Sequence, residues 1–312
     1  MCTLTVAVNT YSKRNRVFFK KLSRGLQNQT DMNYNLLIVA DGDDSFINEL
    51  KGIFPNATTI QTLGKNLSQS RNVALKSSQD EVVAFIDDDA FPDKNWVLNI
   101  KKKFTNPKVV GLGGLILPES ANNLIIPVEL FWIYGCTFYN NLKTKRVIRN
   151  PIGCNMAVRR EAALYVKGFD EALGRTFNIL LSGEEADLFF RITKNFNDTL
   201  IIYDPAVIVY HHVSCNRINP IYFIKRSFFE GLSKWYLQYK NRKENCEGND
   251  KKAITTEFSY LSDLLTKAFP KYLKLLFQFK HFKKAVNYIL STIVCITSVG
   301  VGYLLAPFVL RR

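Results

Sequence analysis

The stretch EVVAFIDDDAFPDKNW, residues 81–96, constrains this chain more than any other, because an apolar run stops abruptly in three consecutive carboxylates. Val82, Val83, Ala84, Phe85 and Ile86 are mostly β-branched or aromatic and lack polar alternation, the pattern of a short strand buried on both faces. Asp87, Asp88 and Asp89 then fall at its carboxyl end, which is where open α/β sheets bind ligands. Adjacent carboxylates repel unless a cation or hydrogen-bond donors compensate them, and a hard divalent metal with oxygen ligands is the simplest compensation. The same residues also fit a solvated acidic turn ahead of a helix starting near Asn95.

The flanking sequence supplies a sheet for this strand. Residues 4–8 read as a first strand, with Asn9, Thr10, Tyr11 and Ser12 as the loop leaving it, and Phe18, Phe19, Leu22 and Leu26 recur at helical spacing. Residues 36–39 form a second strand that stops at Asp41-Gly42-Asp43-Asp44, a cluster that an unoccupied turn also explains. A weak strand at 58–62 and a helix at 67–77 carrying Arg71 and Asn72 come next. Strands alternating with helices predict an α/β fold with a mainly parallel sheet flanked by helices. Neither GxGxxG nor GxxxxGK occurs at these turns, so a dinucleotide fold and a P-loop are unsupported.

Beyond residue 108 the pattern loosens. Residues 109–117 read as a Gly-rich strand, and the apolar 124–139 as a packed loop or a wall for an apolar ligand, since Pro127, Glu129 and Gly135 break a spanning helix. NPIGCNMAVRR, residues 150–160, reads as a turn and a strand, and Gly168 to Glu171 as a further turn. Ser182-Gly183-Glu184-Glu185-Ala186-Asp187 opens a helix with Leu188, Phe189 and Ile192 on its apolar face. Strands are expected at 200–203 and 207–210, the second ending at His211-His212, and a polar linker at 240–252.

The six cysteines are scattered without a CxxC pair, which argues against a zinc site or a disulfide framework and fits a reducing compartment. Nothing at the amino terminus resembles a signal peptide, so the amino-terminal bulk reads as cytosolic. Net charge is +15, and residues 219–284 alone hold 14 Lys and Arg against 6 Asp and Glu. Such a segment suits nucleic acid or an anionic membrane surface. The neighbouring segment decides for the membrane and against nucleic acid, because residues 285–310 contain no Asp, Glu, Lys or Arg. As a helix this segment would extend about 39 Å, enough to cross a hydrocarbon core of roughly 30 Å. The lysines preceding it outnumber Arg311 and Arg312 after it, which predicts that the residues ahead of it lie on the cytoplasmic side of a single-pass anchor.

Taken in order, VAVNTYSKR, LIVADGDD, SRNVAL, VVAFIDDDAFPDKNW, GCNMAVRRE, GFDE, GEEADLFFR and PAVIVYHH resemble glycosyltransferase family 2, the inverting nucleotide-sugar transferases with the GT-A fold. The likeness spans about residues 4–212. It implies a catalytic domain at 1–218, which the charge and hydropathy pattern follows with a basic, aromatic membrane-interface region at 219–284 and a transmembrane helix at 285–310. It further implies transfer of a sugar from a UDP- or GDP-sugar to an acceptor hydroxyl, with a lipid-linked saccharide as acceptor. The processive members carry QxxRW after the base; residues 226–235 here read RSFFEGLSKW, which implies one sugar per binding event.

The resemblance also assigns roles. Asp89, with Asp87 and His211, would hold Mn²⁺ or Mg²⁺, which neutralises the departing diphosphate. Asn9, Thr10, Tyr11, Asp41, Arg71, Asp87 and Asp88 would bind the nucleotide sugar, and Asn155 and Asp187 the acceptor. His211 reads equally well as a half-buried histidine at a strand end. The base falls on Glu185 of the Glu184-Glu185 pair, where relatives usually have Asp. Glu184 and Asp187 are its reserves, and Ser182 with Glu185 also spells a capping box. Two rivals remain: a sugar nucleotidyltransferase, whose Gly-rich basic loop after the first strand is missing, and a non-catalytic basic binding module.

Overall fold

The computed structural model describes residues 2–11, 16–62, 66–119, 124–138, 143–174, 180–244 and 255–310. Strand β1 (Leu4–Thr10) leads to helix α1 (Arg16–Gln27), β2 (Asn35–Asp41) to α2 (Asp44–Ile53), and β3 (Thr58–Thr62) to α3 (Leu67–Ser77). Next come β4 (Val82–Asp87), the short β5 (Ala90–Pro92), α4 (Trp96–Phe104) and β6 (Val109–Pro118). After β7 (Arg146–Val147) and β8 (Asn155–Arg159) stand α5 (Arg160–Tyr165), α6 (Glu184–Asn195) and β9 (Leu200–His211). The remainder is helical: α7 (Pro220–Glu244), α8 (Thr255–Asp263), α9 (Phe269–Leu276) and α10 (Phe282–Val309).

The strands join one mixed sheet in the order β3-β2-β1-β4-β8-β6-β9-β5, with β7 beside β9. Pairing is parallel from β3 through β4 and again between β6 and β9, while β8 runs antiparallel to both β4 and β6. The carboxyl ends of β1, β2, β4 and β9 therefore share one edge, and β8 begins there. Alternate residues of β4 face opposite sides: Val82, Ala84 and Ile86 pack with α1, α2 and α4, and Val83 and Phe85 with α3, α5 and α6. Burial on both faces explains why this strand has no polar alternation.

Several boundaries differ from the sequence reading for identifiable reasons. Asn9 and Thr10 continue β1 rather than forming a loop, because they pair with Val39 and Ala40 of β2. Of the acidic cluster after β2, Asp43 caps α2 by accepting the Phe46 N–H at 2.8 Å, a helix the periodicity did not signal. The two strands expected at 200–203 and 207–210 are one strand, β9, whose register with β6 jumps from Gly114↔Asp204 to Leu115↔Ile208. A bulge at this jump absorbs Pro205, so pairing resumes beyond it. The apolar stretch at 124–139 contains a 3₁₀ helix, Val128–Tyr134. The expected linker at 240–252 begins inside α7; its part from 245 on, like Ser12, Arg311 and Arg312, lies outside the described residues.

Among the described residues, Phe279–Val309 is the one stretch long and apolar enough to cross a membrane. Only 22% of its most apolar window is buried, unlike the core helix of a globular domain. Helix α10 packs along α7 at a crossing of two glycines: a Cβ on Gly231 would lie 2.1 Å from the Val299 carbonyl oxygen, and one on Gly302 would lie 2.0 Å from that of Phe228. The sheet has a similar contact, since a Cβ on Gly114 would lie 2.0 Å from the Val207 carbonyl oxygen and 2.2 Å from Asn155 Nδ2. Gly114→Ala is therefore expected to destabilise the fold by about 1–3 kcal/mol. Gly52→Ala, which faces open space in α2, should be neutral or slightly stabilising. Thermal unfolding of the two variants side by side checks both outcomes.

Candidate active site

Three of the predicted metal-binding residues meet at the shared sheet edge. Asp87 is the last residue of β4, and Asp89 lies at the turn into β5, whose Ala90 pairs with His211 of β9. That pairing sets His211 Nε2 3.1 Å from Asp89 Oδ1, while the His212 N–H donates to the Asp89 carbonyl at 2.9 Å. Burial alone would disfavour both charges, but their attraction outweighs it. Asp89 is held below the usual carboxylate range and His211 is raised above the usual imidazole range. Asp88 points elsewhere, toward β1, where Thr10 Oγ1 donates to its Oδ2 at 2.6 Å.

Two further residues belong to this edge and were not singled out from the sequence. Arg217 Nη2 lies 3.6 Å from Asp89 Oδ2, and although burial works against its charge, Asp89, Tyr222 and Asp87 hold it protonated. Its signal was faint: an arginine six residues beyond His211, in a 3₁₀ turn before α7. Cys154, just ahead of β8, has its sulfur grouped with an Asp87 oxygen and a His211 nitrogen, all within 4.8 Å of one another. Asp87, Cys154 and His211 thus form a group that could hold a metal ion, and Asp89 adjoins it through His211. At the neighbouring strand ends, Asn9 Oδ1 and Asp41 Oδ2 are buried without a hydrogen-bond partner among the described residues, as expected of groups that complete their bonding with a ligand.

The acidic pair occupies the first turn of α6, facing α3. Arg71 Nη1, fully buried, lies 3.0 Å from Glu184 Oε1 and 3.4 Å from Glu185 Oε1. Glu184 is almost completely enclosed, at 3% exposure, so it serves as the counter-ion of that guanidinium. The Glu185 side chain keeps 16% exposure, and its Oε1 also accepts the Gly153 N–H at 3.1 Å. Among the described residues its Oε2 makes no hydrogen bond, which leaves one oxygen available to take a proton. The capping-box reading fails, because the residue ahead of α6 is Gly183 at φ 105° with no side-chain cap, and Ser182 Oγ donates to Glu230 at 2.9 Å instead.

Other expected contacts are used up structurally. Arg71, anticipated beside the nucleotide, is enclosed with the acidic pair. Asp187, offered both as acceptor contact and reserve base, is buried with Arg191 at 2.6 Å and Lys240 at 2.7 Å. Asn155 is also buried: its Oδ1 accepts from Trp96 Nε1 at 2.9 Å, and its Nδ2 donates to the carbonyls of Val207 and Leu115 at 2.9 and 3.2 Å. Neither Asp187 nor Asn155 therefore presents a polar atom to an acceptor. Tyr11 is exposed at the end of β1.

Known proteins are similar to this chain to different extents. The chain is similar to the glucosyl-dolichyl phosphate glucuronosyltransferase of Haloferax volcanii, at 26% identity over 99% of this chain and 98% of that protein. The structure resembles the mannosyltransferase PcManGT from Pyrobaculum calidifontis in complex with GDP-Man and Mn²⁺, with a TM-score of 0.57 at 14% identity over 95% of this chain and 87% of the other. It also resembles GalNAc-T7 with UDP, GalNAc and Mn²⁺, with a TM-score of 0.53 at 10% identity over 86% of this chain and 57% of the other. These two likenesses establish the GT-A architecture. The family described as Glycosyl transferase family 2 matches residues 5–165, more than half of the chain, and the protein belongs to that family as a glycosyltransferase.

Proposed function

We propose that this glycosyltransferase moves one sugar, with inversion, from a UDP- or GDP-sugar to a hydroxyl of a lipid-linked saccharide at the cytoplasmic face of the cell membrane. The observation that carries the reading is the placement of Glu185 in the first turn of α6: one oxygen is fixed by Gly153 and Arg71, and the other has no hydrogen bond among the described residues. Inversion needs a base that removes the acceptor proton as the new bond forms, and Glu185 is the carboxylate of the pair still open to one.

On the donor side, Asn9, Asp41 and Asp88 would contact the nucleoside. Asp87, Asp89 and His211 would hold Mn²⁺ or Mg²⁺, which when bound neutralises charge on the departing diphosphate. Arg217 adds a positive charge beside Asp89, which would favour the same leaving group. A lipid-linked acceptor is supported by the glucosyl-dolichyl phosphate in the archaeal relative's name and by α10. The exposed Lys271, Lys274, Lys280, Lys283 and Lys284 ahead of the apolar part of α10 favour a cytoplasmic catalytic domain. The proposed division is thus catalytic at 1–218, interfacial at 219–284 and spanning at 285–310.

Three outcomes test this. Glu185→Gln is expected to lower kcat by about 10²- to 10⁴-fold with donor affinity kept, measured as nucleotide release from UDP- and GDP-sugars with glucosyl-dolichyl phosphate as acceptor. A loss confined to Glu184→Gln would move the role by one residue. Asp89→Ala should abolish transfer and weaken Mn²⁺ binding measured by calorimetry; full activity of the native protein in excess chelator would overturn the metal assignment. The full-length chain should stay in the membrane pellet through carbonate washing and dissolve only in detergent, whereas release by carbonate means that α10 does not span.

A further inference from the structure

Helix α7 presents a stripe of side chains, at spacings of three, four and three residues, to the segment that carries the acidic pair. Glu230 Oε2 accepts from Ser182 Oγ at 2.9 Å, and Ser233 Oγ accepts the Ser182 backbone N–H at 2.9 Å. One turn on, Leu237 packs so tightly on Gly183 that a Cβ there would lie 2.7 Å from Leu237 Cδ1. After a further turn, Lys240 Nζ reaches Asp187 Oδ1 at 2.7 Å and Asp170 Oδ2 at 2.5 Å. These four side chains share one face of the helix and touch residues on both sides of Glu185.

Glu230 is itself held on three sides. Arg226 Nη1 lies 2.8 Å from its Oε2, and Lys234 Nζ lies 2.9 Å from its Oε1. Lys234 also reaches Glu257 Oε1 of α8 at 2.9 Å, and Glu257 Oε2 meets Arg149 Nη1 at 2.7 Å. Arg149 stands four residues before Gly153, whose N–H holds Glu185 Oε1. A continuous chain of contacts thus runs from the segment preceding Glu185, through α7 and α8, to the loop that grips the Glu185 carboxylate. Arg226 is buried and the other four charges are half-buried, an arrangement that is costly unless each is paired, and a chain that only joined helices could be replaced by apolar packing.

We infer that Ser182 and Glu230 are positioning residues for Glu185: they fix the entry to α6, and with it the direction of the carboxylate, from the helix that packs along α10. The inference rests on the reading of Glu185 as the base. It adds that the base is registered from the carboxyl-terminal helices, not from the sheet alone. A displacement of about 1 Å at such a group can cost up to about 10²-fold in rate.

The test uses the full-length, detergent-solubilised protein and the variants Ser182→Ala, Ser182→Thr and Glu230→Gln. Hydrogen exchange at the amides of residues 183–187 should accelerate at least about tenfold in Ser182→Ala and Glu230→Gln and return toward the native rate in Ser182→Thr, which restores a hydroxyl. With UDP- and GDP-sugars as donors and glucosyl-dolichyl phosphate as acceptor, Ser182→Ala should lower kcat about 10- to 100-fold with donor KM unchanged. Combined with Glu185→Gln, it should add little further loss, since the two act on one group. Unchanged exchange in both variants overturns the inference, as does a native kcat in Ser182→Ala while Glu185→Gln has lost its rate. If Glu185→Gln keeps its rate but exchange accelerates as expected, the failure lies with the base assignment and the clamp on α6 stands. Ser182→Ala removes only one hydroxyl, so a global loss of stability in Glu230→Gln leaves the decision to the serine.

Discussion

The Asn155 amide is the joint on which the site depends. Strand β8 enters the sheet antiparallel between β4 and β6, and Asn155 at its start pairs with Ile86, immediately before the acidic trio. Its side chain saturates two carbonyls that the bulged ladder between β6 and β9 leaves over, and anchors the indole of Trp96. A buried amide bonded at every point is stable only in one geometry. Through it the bulge is fixed, and with the bulge the register that brings His211 to Asp89. The residues before Asn155 are thereby delivered to the site, Cys154 beside Asp87 and His211 and the Gly153 N–H to Glu185.

The parts legible in the sequence were those where composition and period agreed. An apolar run closing in Asp87 to Asp89 could only be a buried strand with charged residues at its end, and the α/β alternation came from its neighbours. His211 was legible because it terminates another apolar run. Where two local rules competed, the sequence left the choice open. Ser182 and Glu185 have the spacing of a capping box, yet the serine is drawn away by Glu230, 48 residues further on, which no local pattern encodes. Arg71 carried a family expectation of nucleotide contact, but its partners lie more than a hundred residues later on α6. Arg217 had no motif at all, and its importance arises only from proximity to Asp89.

Charge behaves differently in the two halves of the molecule. At the sheet edge, positive groups gather around carboxylates that a cation would otherwise neutralise. Along α7 and α8 the basic excess seen in composition is partly internal: Arg226, Lys234 and Lys240 are spent on Glu230, Glu257, Asp170 and Asp187. Burial opposes ionisation of Glu230, but Lys234 and Arg226 outweigh it and keep its carboxyl below the usual range. Among the described residues, exposed lysines cluster near α9 and the start of α10, where Phe277 and Phe279 are also exposed.

The glycine crossing of α7 and α10 has a mechanical consequence. Where two backbones touch at Gly231 and Gly302, neither helix can roll or slide without driving a carbonyl into its neighbour. The close contact couples the two helices, so whatever sets the tilt of α10 also constrains α7. A protein built in this way works at a fixed stand-off, like a tool on a gauge block. On the proposed reading of Glu185 as the base, the length of an acceptor's head, and not only its chemistry, would decide whether its hydroxyl arrives level with that carboxylate.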